Sequence, residues 1–213
     1  AIAAQAADSY AVLVAADSDI AAAADLEGKR IATVIGSTGH NLTQKFLGTA
    51  GLSIDDVELI NISAGDAATV LANHEVDAVS IWEPSVTRLV DSGIAKIIGE
   101  GSDCGLAGTN TIVARKAFAQ ENPLIVSIVL AQYARAAAAI DSLDDGTWAK
   151  VAEDLSLDVD QVKSILPKYN FSVVITQEDI DALNDTIAFL VGIDAISEAY
   201  DIGDYANGSY YAN

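Results

Sequence analysis

The chain has 213 residues, of which 51% are hydrophobic, and its 31 acidic against 11 basic side chains give a formal net charge of −20. This length can bury a sizeable core in one large domain or two small lobes, and no uninterrupted apolar run reaches the roughly 18 residues of a membrane span, so we expect a soluble chain. The negative charge excludes nucleic acid as a partner, because it repels a phosphate backbone.

Alternation of apolar and β-branched residues predicts four strands in the first half, separated by stretches with the period of helices. The strands cover 10–14, 30–35, 57–62 and 78–81, and the helices run from near His40 to a cap at Gly51, over 67–73, and from Pro84 to Gly93. The last three of these strands, with two helices between them, predict a parallel sheet.

The second half changes character. Two further strands are predicted on either side of a small-residue loop, and amphipathic helices follow. The strands are 94–98 and 111–114, the loop is 99–108, and the helices are 123–141, 146–155 and 159–166. Asp144 and Asp158 are expected as N-caps, and Thr176 with Asp179 as a capping box.

The turns after the three parallel strands form the candidate binding site, because such turns meet at the carboxyl edge of a sheet. In the first turn, Gly36 permits the change of direction, Ser37 or Thr38 can cap the next helix, and the free amides of that helix can receive an anionic group. We predict ligand contacts from Gly36, Ser37, Thr38, Gly39 and His40.

The other two turns add weaker candidates. Trp82 can form an apolar wall at the end of its strand, whereas Glu83 suits either a positive helix end or a ligand amine. Ser63 reads first as part of a helix N-terminus. None of the three turns contains Lys or Arg, so anion recognition would rest on amides and hydroxyls, and a zwitterion or a neutral polar ring fits as well as nitrate or a simple sulfonate.

Few side chains suit catalysis or metal binding. Cys104 is the only cysteine, and the chain has two histidines. They cannot form a disulfide framework, and their spacing gives no zinc site or nucleophile set. We therefore expect no metal, no cofactor and no catalytic residue.

At these turns the sequence resembles the solute-binding proteins of ABC importers for nitrate, sulfonate, taurine and related compounds, a group that also includes pyrimidine-precursor binders. The matching segments, in order, are 25–32 (DLEGKRIA), 36–40 (GSTGH), 50–53 (AGLS), 76–78 (VDA), 81–84 (IWEP) and 122–123 (NP).

The resemblance implies an α/β fold of the two-lobe periplasmic-binding-protein type II, with the opening part of lobe one missing. Residues 16–110 would be lobe two, and residues 1–15 and 111–213 the crossing strands and helical remainder of lobe one. In that family the ligand is held between the lobes.

The function that the resemblance implies is capture of a small polar or anionic compound outside the cytoplasm, in the periplasm or from a lipid anchor, and its delivery to an ABC transporter permease. Two rivals share the fold: a protein that binds or synthesises a thiamine-pyrimidine precursor, and the effector domain of a cytosolic transcription regulator. A helix-turn-helix upstream would decide for the regulator, and a signal peptide with a lipidated cysteine for the importer.

The resemblance also predicts unpartnered apolar surface. The helices of 116–191 have apolar faces, at Leu124, Ile128, Leu130, Ile187 and Leu190, that would pack on a lobe-one sheet not encoded here. We expect this chain to be a fragment of a longer protein that self-associates through those faces or docks its helices differently, and that binds ligand weakly.

Overall fold

The computed structural model describes residues 2–211, which form eight strands and eight α-helices. The strands are β1 (Ile2–Gln5), β2 (Tyr10–Ala15), β3 (Arg30–Thr33), β4 (Glu58–Asn61), β5 (Ala78–Trp82), β6 (Ala95–Glu100), β7 (Thr109–Thr111) and β8 (Asn170–Phe171). The helices are α1 (Thr38–Thr49), α2 (Ala67–Ala72), α3 (Ser85–Asp91), α4 (Lys116–Glu121), α5 (Pro123–Ala139), α6 (Asp145–Leu155), α7 (Val159–Ile165) and α8 (Gln177–Gly192). The ends of the predicted elements are confirmed to within three residues, whereas β1 and β8 were not predicted.

The chain divides into two compact units. The first, which we call the sheet unit, comprises Ala7–Gly108 and Phe189–Ile196. The second, the helical unit, comprises the described residues before Ala7, Thr109–Ala188, and those from Ser197 onward. The lobe boundaries implied by the family resemblance, at 15/16 and 110/111, stay a prediction; strand β2, which precedes the first of them, pairs within the sheet unit.

The sheet unit contains a five-stranded sheet with the order β4-β3-β5-β2-β6. Strand β3 pairs in parallel with both β4 and β5, as predicted, and α1 and α2 make the crossovers. The family resemblance implies that β2 is one of the two strands that cross between the lobes. It lies antiparallel between β5 and β6, so the sheet is mixed.

Each face of this sheet is covered by apolar side chains from different helices. Helix α1 contributes Leu42, Phe46 and Leu47 to one face, where they pack with Val12 and Val14 of β2. Helices α2 and α3 cover the opposite face. The alternation along β2 thus assigns even-numbered residues to the α1 side and odd-numbered ones to the other.

Two glycines allow α1 to lie close to the sheet. A Cβ atom on Gly39 would be 2.7 Å from the carbonyl oxygen of Ser80, and one on Gly99 would be 2.2 Å from the ring of Phe46. Both separations are shorter than any normal carbon contact. The small residues therefore fix how near the helix comes to β5 and β6.

The helical unit contains a small antiparallel sheet with the order β7-β1-β8 and the helices from α4 to the main part of α8. Asp144 caps α6 by accepting a hydrogen bond from the amide of Thr147 at 2.7 Å. Asp179 caps α8 by accepting hydrogen bonds from the amide and hydroxyl of Thr176, both at 2.7 Å, and it also accepts one from the side chain of Gln5. Asp144 and the Thr176–Asp179 capping box are confirmed.

Helix α5 exposes apolar surface. Leu124 is 70% exposed and Ile128 50%, although Leu130 and Ile187 are buried, so the predicted bare faces exist only in part. Among the described residues, the segment Pro123–Ser142 is long and apolar enough to cross a membrane by length and composition alone, with a mean hydropathy of 1.6, and little of it is buried. Single polar residues interrupt the apolar run of this segment, so its sequence pattern does not predict a membrane span.

Candidate functional site

Five turns of the sheet unit meet at one edge of its sheet. Three follow the carboxyl ends of β3, β4 and β5. The antiparallel register pairs Tyr10 with Trp82 and Ala11 with Glu100, which brings the turn before β2 and the turn after β6 to the same edge. The candidate site is therefore built from more of the chain than the three predicted turns.

Ser37 is the N-cap of α1. Its hydroxyl oxygen accepts hydrogen bonds from the amides of Gly39, at 3.1 Å, and His40, at 3.4 Å. The prediction that Ser37 or Thr38 caps the helix is thus resolved in favour of Ser37. Because two amides of the first turn are already satisfied, this cap leaves fewer donors for a ligand than an uncapped helix would.

Thr38 is the first residue of α1 and is partly exposed. Its amide precedes the two that Ser37 satisfies, and the amide of the first helical residue has no partner within the helix. Its hydroxyl lies on the same turn. Thr38 therefore offers two donors at the positive end of the helix dipole.

His40 is buried, only 4% exposed, and supports the turn from below. Its Nδ1 accepts a hydrogen bond from the amide of Gly36 at 3.2 Å, and its ring meets that of Phe189 edge-on, with centroids 5.1 Å apart. Burial lowers the pKa of the His40 imidazole below its ordinary value, because it disfavours the charged form. A neutral ring that accepts from Gly36 holds the turn in place.

Gly39 is also buried and lies against the sheet. Its carbonyl oxygen accepts hydrogen bonds from the hydroxyls of Ser80, at 2.7 Å, and Thr43, at 3.0 Å. The structure places Gly39 in the packing of α1 on β5 and not among exposed groups. Gly36, by contrast, is partly exposed and has φ +79°, a left-handed conformation that favours glycine.

Trp82 ends β5 and is half-buried, as predicted for a residue at the sheet edge. Directly opposite it on β2 is Tyr10, which the sequence analysis treated only as a strand residue. The two ring centroids are 6.5 Å apart with an interplanar angle of 56°. Tyr10 could not be found from local pattern, because only the long-range β2–β5 pairing brings it to Trp82.

Glu83 is buried and accepts hydrogen bonds from helix α3. Its two carboxylate oxygens accept hydrogen bonds from the amide and the hydroxyl of Thr87, each at 3.0 Å. This confirms that Glu83 suits the start of helix α3. The contact holds the carboxylate against α3, on the face of the sheet opposite α1.

Ser63 is exposed after β4. Its hydroxyl donates to the carboxylate of Asp66 at 2.8 Å, within its own turn. Asn61, at the end of β4, contacts the turn after β3: its side-chain oxygen accepts a hydrogen bond from the amide of Ile35 at 3.0 Å. Asn61 therefore ties the end of β4 to the turn that leads into α1.

The edge has no basic residue in its five turns. Its acidic side chains accept hydrogen bonds from backbone amides of the same edge; for example, Asp8 accepts from the amide of Ser102 and Asp103 from the amide of Glu100. The thiol of Cys104 donates to backbone carbonyls in the same turn, and burial raises the pKa of that thiol. Among the described residues, no group of His, Cys, Asp and Glu is arranged to hold a metal ion.

The structure thus brings together part of the predicted set. The turn of Gly36, Ser37 and Thr38 lies on the α1 side of the sheet, as do Trp82 and the unpredicted Tyr10. His40 and Gly39 lie beneath it as support, while Glu83 and Ser63 are engaged in other turns. Hydroxyl and amide donors on the same side of a sheet edge as an aromatic surface can hold a small organic anion.

The helical unit has a separate cavity of about 650 Å³. It is lined by residues of α5, α6, α7 and the segment around β8, including Trp148, Lys163 and Phe171. None of the predicted site residues lines it. The ammonium group of Lys163 lies 5.6 Å from the centre of the Trp148 ring, so the one tryptophan of this cavity is in contact with a cation.

A family profile described as NMT1/THI5 like matches residues 2–142 of this chain. A protein of Escherichia coli K12 named for binding aliphatic sulfonates is 30% identical over 155 residues, which are 73% of this chain and 48% of that protein. The chain spans between about a third and 60% of the length of the curated relatives it matches.

Solved structures share the fold. The periplasmic aliphatic sulphonate binding protein SsuA from Escherichia coli superposes with a TM-score of 0.85 at 23% identity, over 100% of this chain and 70% of that one. The desulfurization enzyme DSZB superposes with a TM-score of 0.80 at 20% identity, over 98% of this chain and 76% of that one. The predicted α/β binding-protein fold is confirmed, and the fold alone fits both a binding protein and an enzyme.

Proposed function

We propose, because this chain belongs to the NMT1/THI5-like family, that it is the ligand-binding part of an ABC importer's substrate-binding protein and takes a small organic sulfonate or a similar anion. The observation that supports this is the turn from Gly36 to Thr38, where hydroxyl and amide donors stand at the start of α1, on the same side of the sheet as Trp82. A sulfonate group has three acceptor oxygens and one negative charge, which suit such donors.

The same site supports capture of a ligand without chemistry. The histidine below the turn is buried and neutral, and the only cysteine has a raised pKa and donates to backbone carbonyls. Neither group is activated as a nucleophile or as a base. We therefore favour binding over a DSZB-like reaction on the same fold. Turnover of a sulfinate or sulfonate by the purified protein would reverse this preference.

The proposed setting is extracytoplasmic, in the periplasm or at the cell surface as a lipoprotein, with the permease of an ABC transporter as the protein partner. Thiamine-pyrimidine precursors and regulator effectors are the competing ligand classes. The exposed face of α5, with Leu124 and Ile128, supports self-association or docking as a further expectation. Light scattering over a range of protein concentrations measures it, and a monomer at all concentrations would remove it.

The binding site is tested through Thr38. The Thr38→Val substitution removes one donor while keeping the shape of the side chain, and Ser37 still caps the helix. We expect the dissociation constant for taurine, methanesulfonate or nitrate, whichever binds to the wild-type protein, to rise at least tenfold in calorimetry, which corresponds to about 1.4 kcal/mol. Ser37→Ala together with Thr38→Ala should weaken binding further.

The matched control is Thr49→Val, at the other end of α1, where the hydroxyl donates to the carbonyl of Phe46. It should leave the affinity unchanged. A second readout is fluorescence: ligand should change the emission of Trp82, and the signal should survive in Trp148→Phe but vanish in Trp82→Phe. Equal affinities of wild type and Thr38→Val, both with native circular dichroism, would contradict the proposed site.

A further inference from the structure

The aromatic pair formed by Tyr10 and Trp82 carries an inference about which ligands the site selects. The residues are directly opposite each other on β2 and β5, so their side chains project from the same face of the sheet. Both are half-buried, and their rings are in tilted contact. Tyr10 packs in part against the apolar core on the α1 side, and both residues keep part of their surface exposed.

That face is the one covered by α1. Ser80 precedes Trp82 by two positions, points the same way, and donates its hydroxyl to the carbonyl of Gly39 in the first turn of α1. Two residues along a strand advance by about 7 Å. Trp82 therefore lies about 7 Å nearer the sheet edge than the contact with Gly39, beyond the first residue of α1 and toward the turn that leads into the helix.

The organic part of a ligand must supply much of the discrimination at this edge. No turn here contributes Lys or Arg, so a small anion meets only hydroxyl and amide donors, which treat every sulfonate alike. A flat ring attached to the sulfonate would lie against Tyr10 and Trp82 and would remove apolar surface of both partners from water. A methyl group would leave most of that surface exposed.

We propose that the Tyr10–Trp82 pair determines specificity by selecting organic sulfonates that carry a flat ring over small alkyl sulfonates. The inference rests on the proposed function, since it assumes that the sulfonate group binds at Thr38. Tyr10 acts through its ring, and its hydroxyl is not required.

The experiment compares benzenesulfonate with methanesulfonate by calorimetry on the full chain. The wild-type protein should bind benzenesulfonate at least tenfold more tightly. Tyr10→Leu keeps apolar volume without a ring and should reduce this preference to threefold or less, mainly by weakening benzenesulfonate. Tyr10→Phe should keep the preference. Tyr205→Ala removes a 72% exposed tyrosine of the helical unit and should change neither affinity.

The outcomes separate this inference from the proposed function. Binding of both sulfonates with similar affinity, or an unchanged preference in Tyr10→Leu and Trp82→Leu, would overturn the role of the aromatic pair and leave the sulfonate site standing. Failure of the wild-type protein to bind either sulfonate would overturn both. Thr38→Val should weaken both sulfonates by the same factor, and a loss confined to benzenesulfonate would contradict the assumed orientation.

Discussion

Replacing Gly39 with alanine should push α1 slightly away from the sheet and destabilise the sheet unit. Helix α1 lies on β5 at a point where the backbone of Gly39 faces the carbonyl oxygen of Ser80 and the hydroxyl of Thr33. An added Cβ atom would be 2.7 Å from the first and 2.8 Å from the second. The carbonyl belongs to the backbone of a central strand and cannot rotate away, so the helix must move by roughly 0.7 Å to restore a normal contact.

Two opposing effects set the size of the change. Alanine in place of glycine stabilises a helix by about 0.5–1 kcal/mol. Overpacking of a tight interface costs about 1–3 kcal/mol, and a shift also lengthens the buried hydrogen bonds that join Gly39, Ser80 and Thr33. The steric term is larger, so we expect a net destabilisation of the sheet unit by about 1–2 kcal/mol.

The assay is urea unfolding followed by Trp82 fluorescence in a Trp148→Phe background, so that the signal reports the sheet unit alone. With a slope of about 2 kcal/mol per molar urea, the midpoint should fall by about 0.5–1 M. Gly48→Ala in the same helix is the matched control, because nothing lies within 4 Å of the added atom. It should raise stability by about 0.5 kcal/mol.

The two substitutions are therefore expected to act in opposite directions. If Gly39→Ala were as stable as the wild type or more stable, the close approach of α1 to β5 would not be rigid. Sulfonate affinity should fall with Gly39→Ala as well, since the start of α1 carries the donors of the proposed site. A variant that is destabilised yet binds normally would show that the turn is held by other contacts.

The remaining predictions concern pH and the caps. Burial lowers the folded-state pKa of His40, so its contribution to the stability of the sheet unit should be complete above about pH 6.5 and be lost as the pH falls through the folded pKa, because protonation removes the acceptor for the Gly36 amide. Urea unfolding between pH 7.5 and 5 measures this loss. The His40→Gln substitution should abolish this pH dependence. Burial alone would raise the pKa of Asp179, but the hydrogen bonds from its cap outweigh burial and lower the pKa, so its stabilisation is present above about pH 4 and is lost as the pH falls through the folded value. Asp179→Asn should destabilise the helical unit by about 1 kcal/mol in Trp148 fluorescence, whereas Asp181→Asn, an exposed neighbour, should have little effect, and equal effects would refute the cap's role.

The elements that sequence pattern predicts well are those whose determinants are local. Strand β3 and helix α1 follow from a β-branched run, a glycine with positive φ, a serine cap and Gly51 at the end of the helix. The same local signals located the turn at Gly36 and restricted the cap to Ser37 or Thr38. Each of these signals depends on residues close together in the chain, so it can be recognised from the sequence alone.

Sequence pattern is less informative where residues distant in the chain meet. It predicts His40 as a ligand contact because His40 follows a glycine-rich turn, whereas in the structure the imidazole is buried and contacts the ring of Phe189. Tyr10 reads as an ordinary strand residue, and only its pairing with β5 makes it part of the edge. The position of β2, antiparallel between β5 and β6, cannot be predicted from the sequence of β2 itself.

That insertion of β2 has a consequence for the order of folding. Tyr10 pairs with Trp82, 72 positions later, and Ala11 with Glu100, so β2, a largely buried strand, has its first partner only when residue 82 is available and its second only when residue 100 is. Closing such long loops delays strand pairing relative to helix formation. Until then its apolar run, Tyr10–Ala15, has two open edges and can pair with another chain. Newly synthesised protein is thus most prone to aggregation before residue 100 emerges, and a chaperone that shields this strand would raise the yield of folded chains.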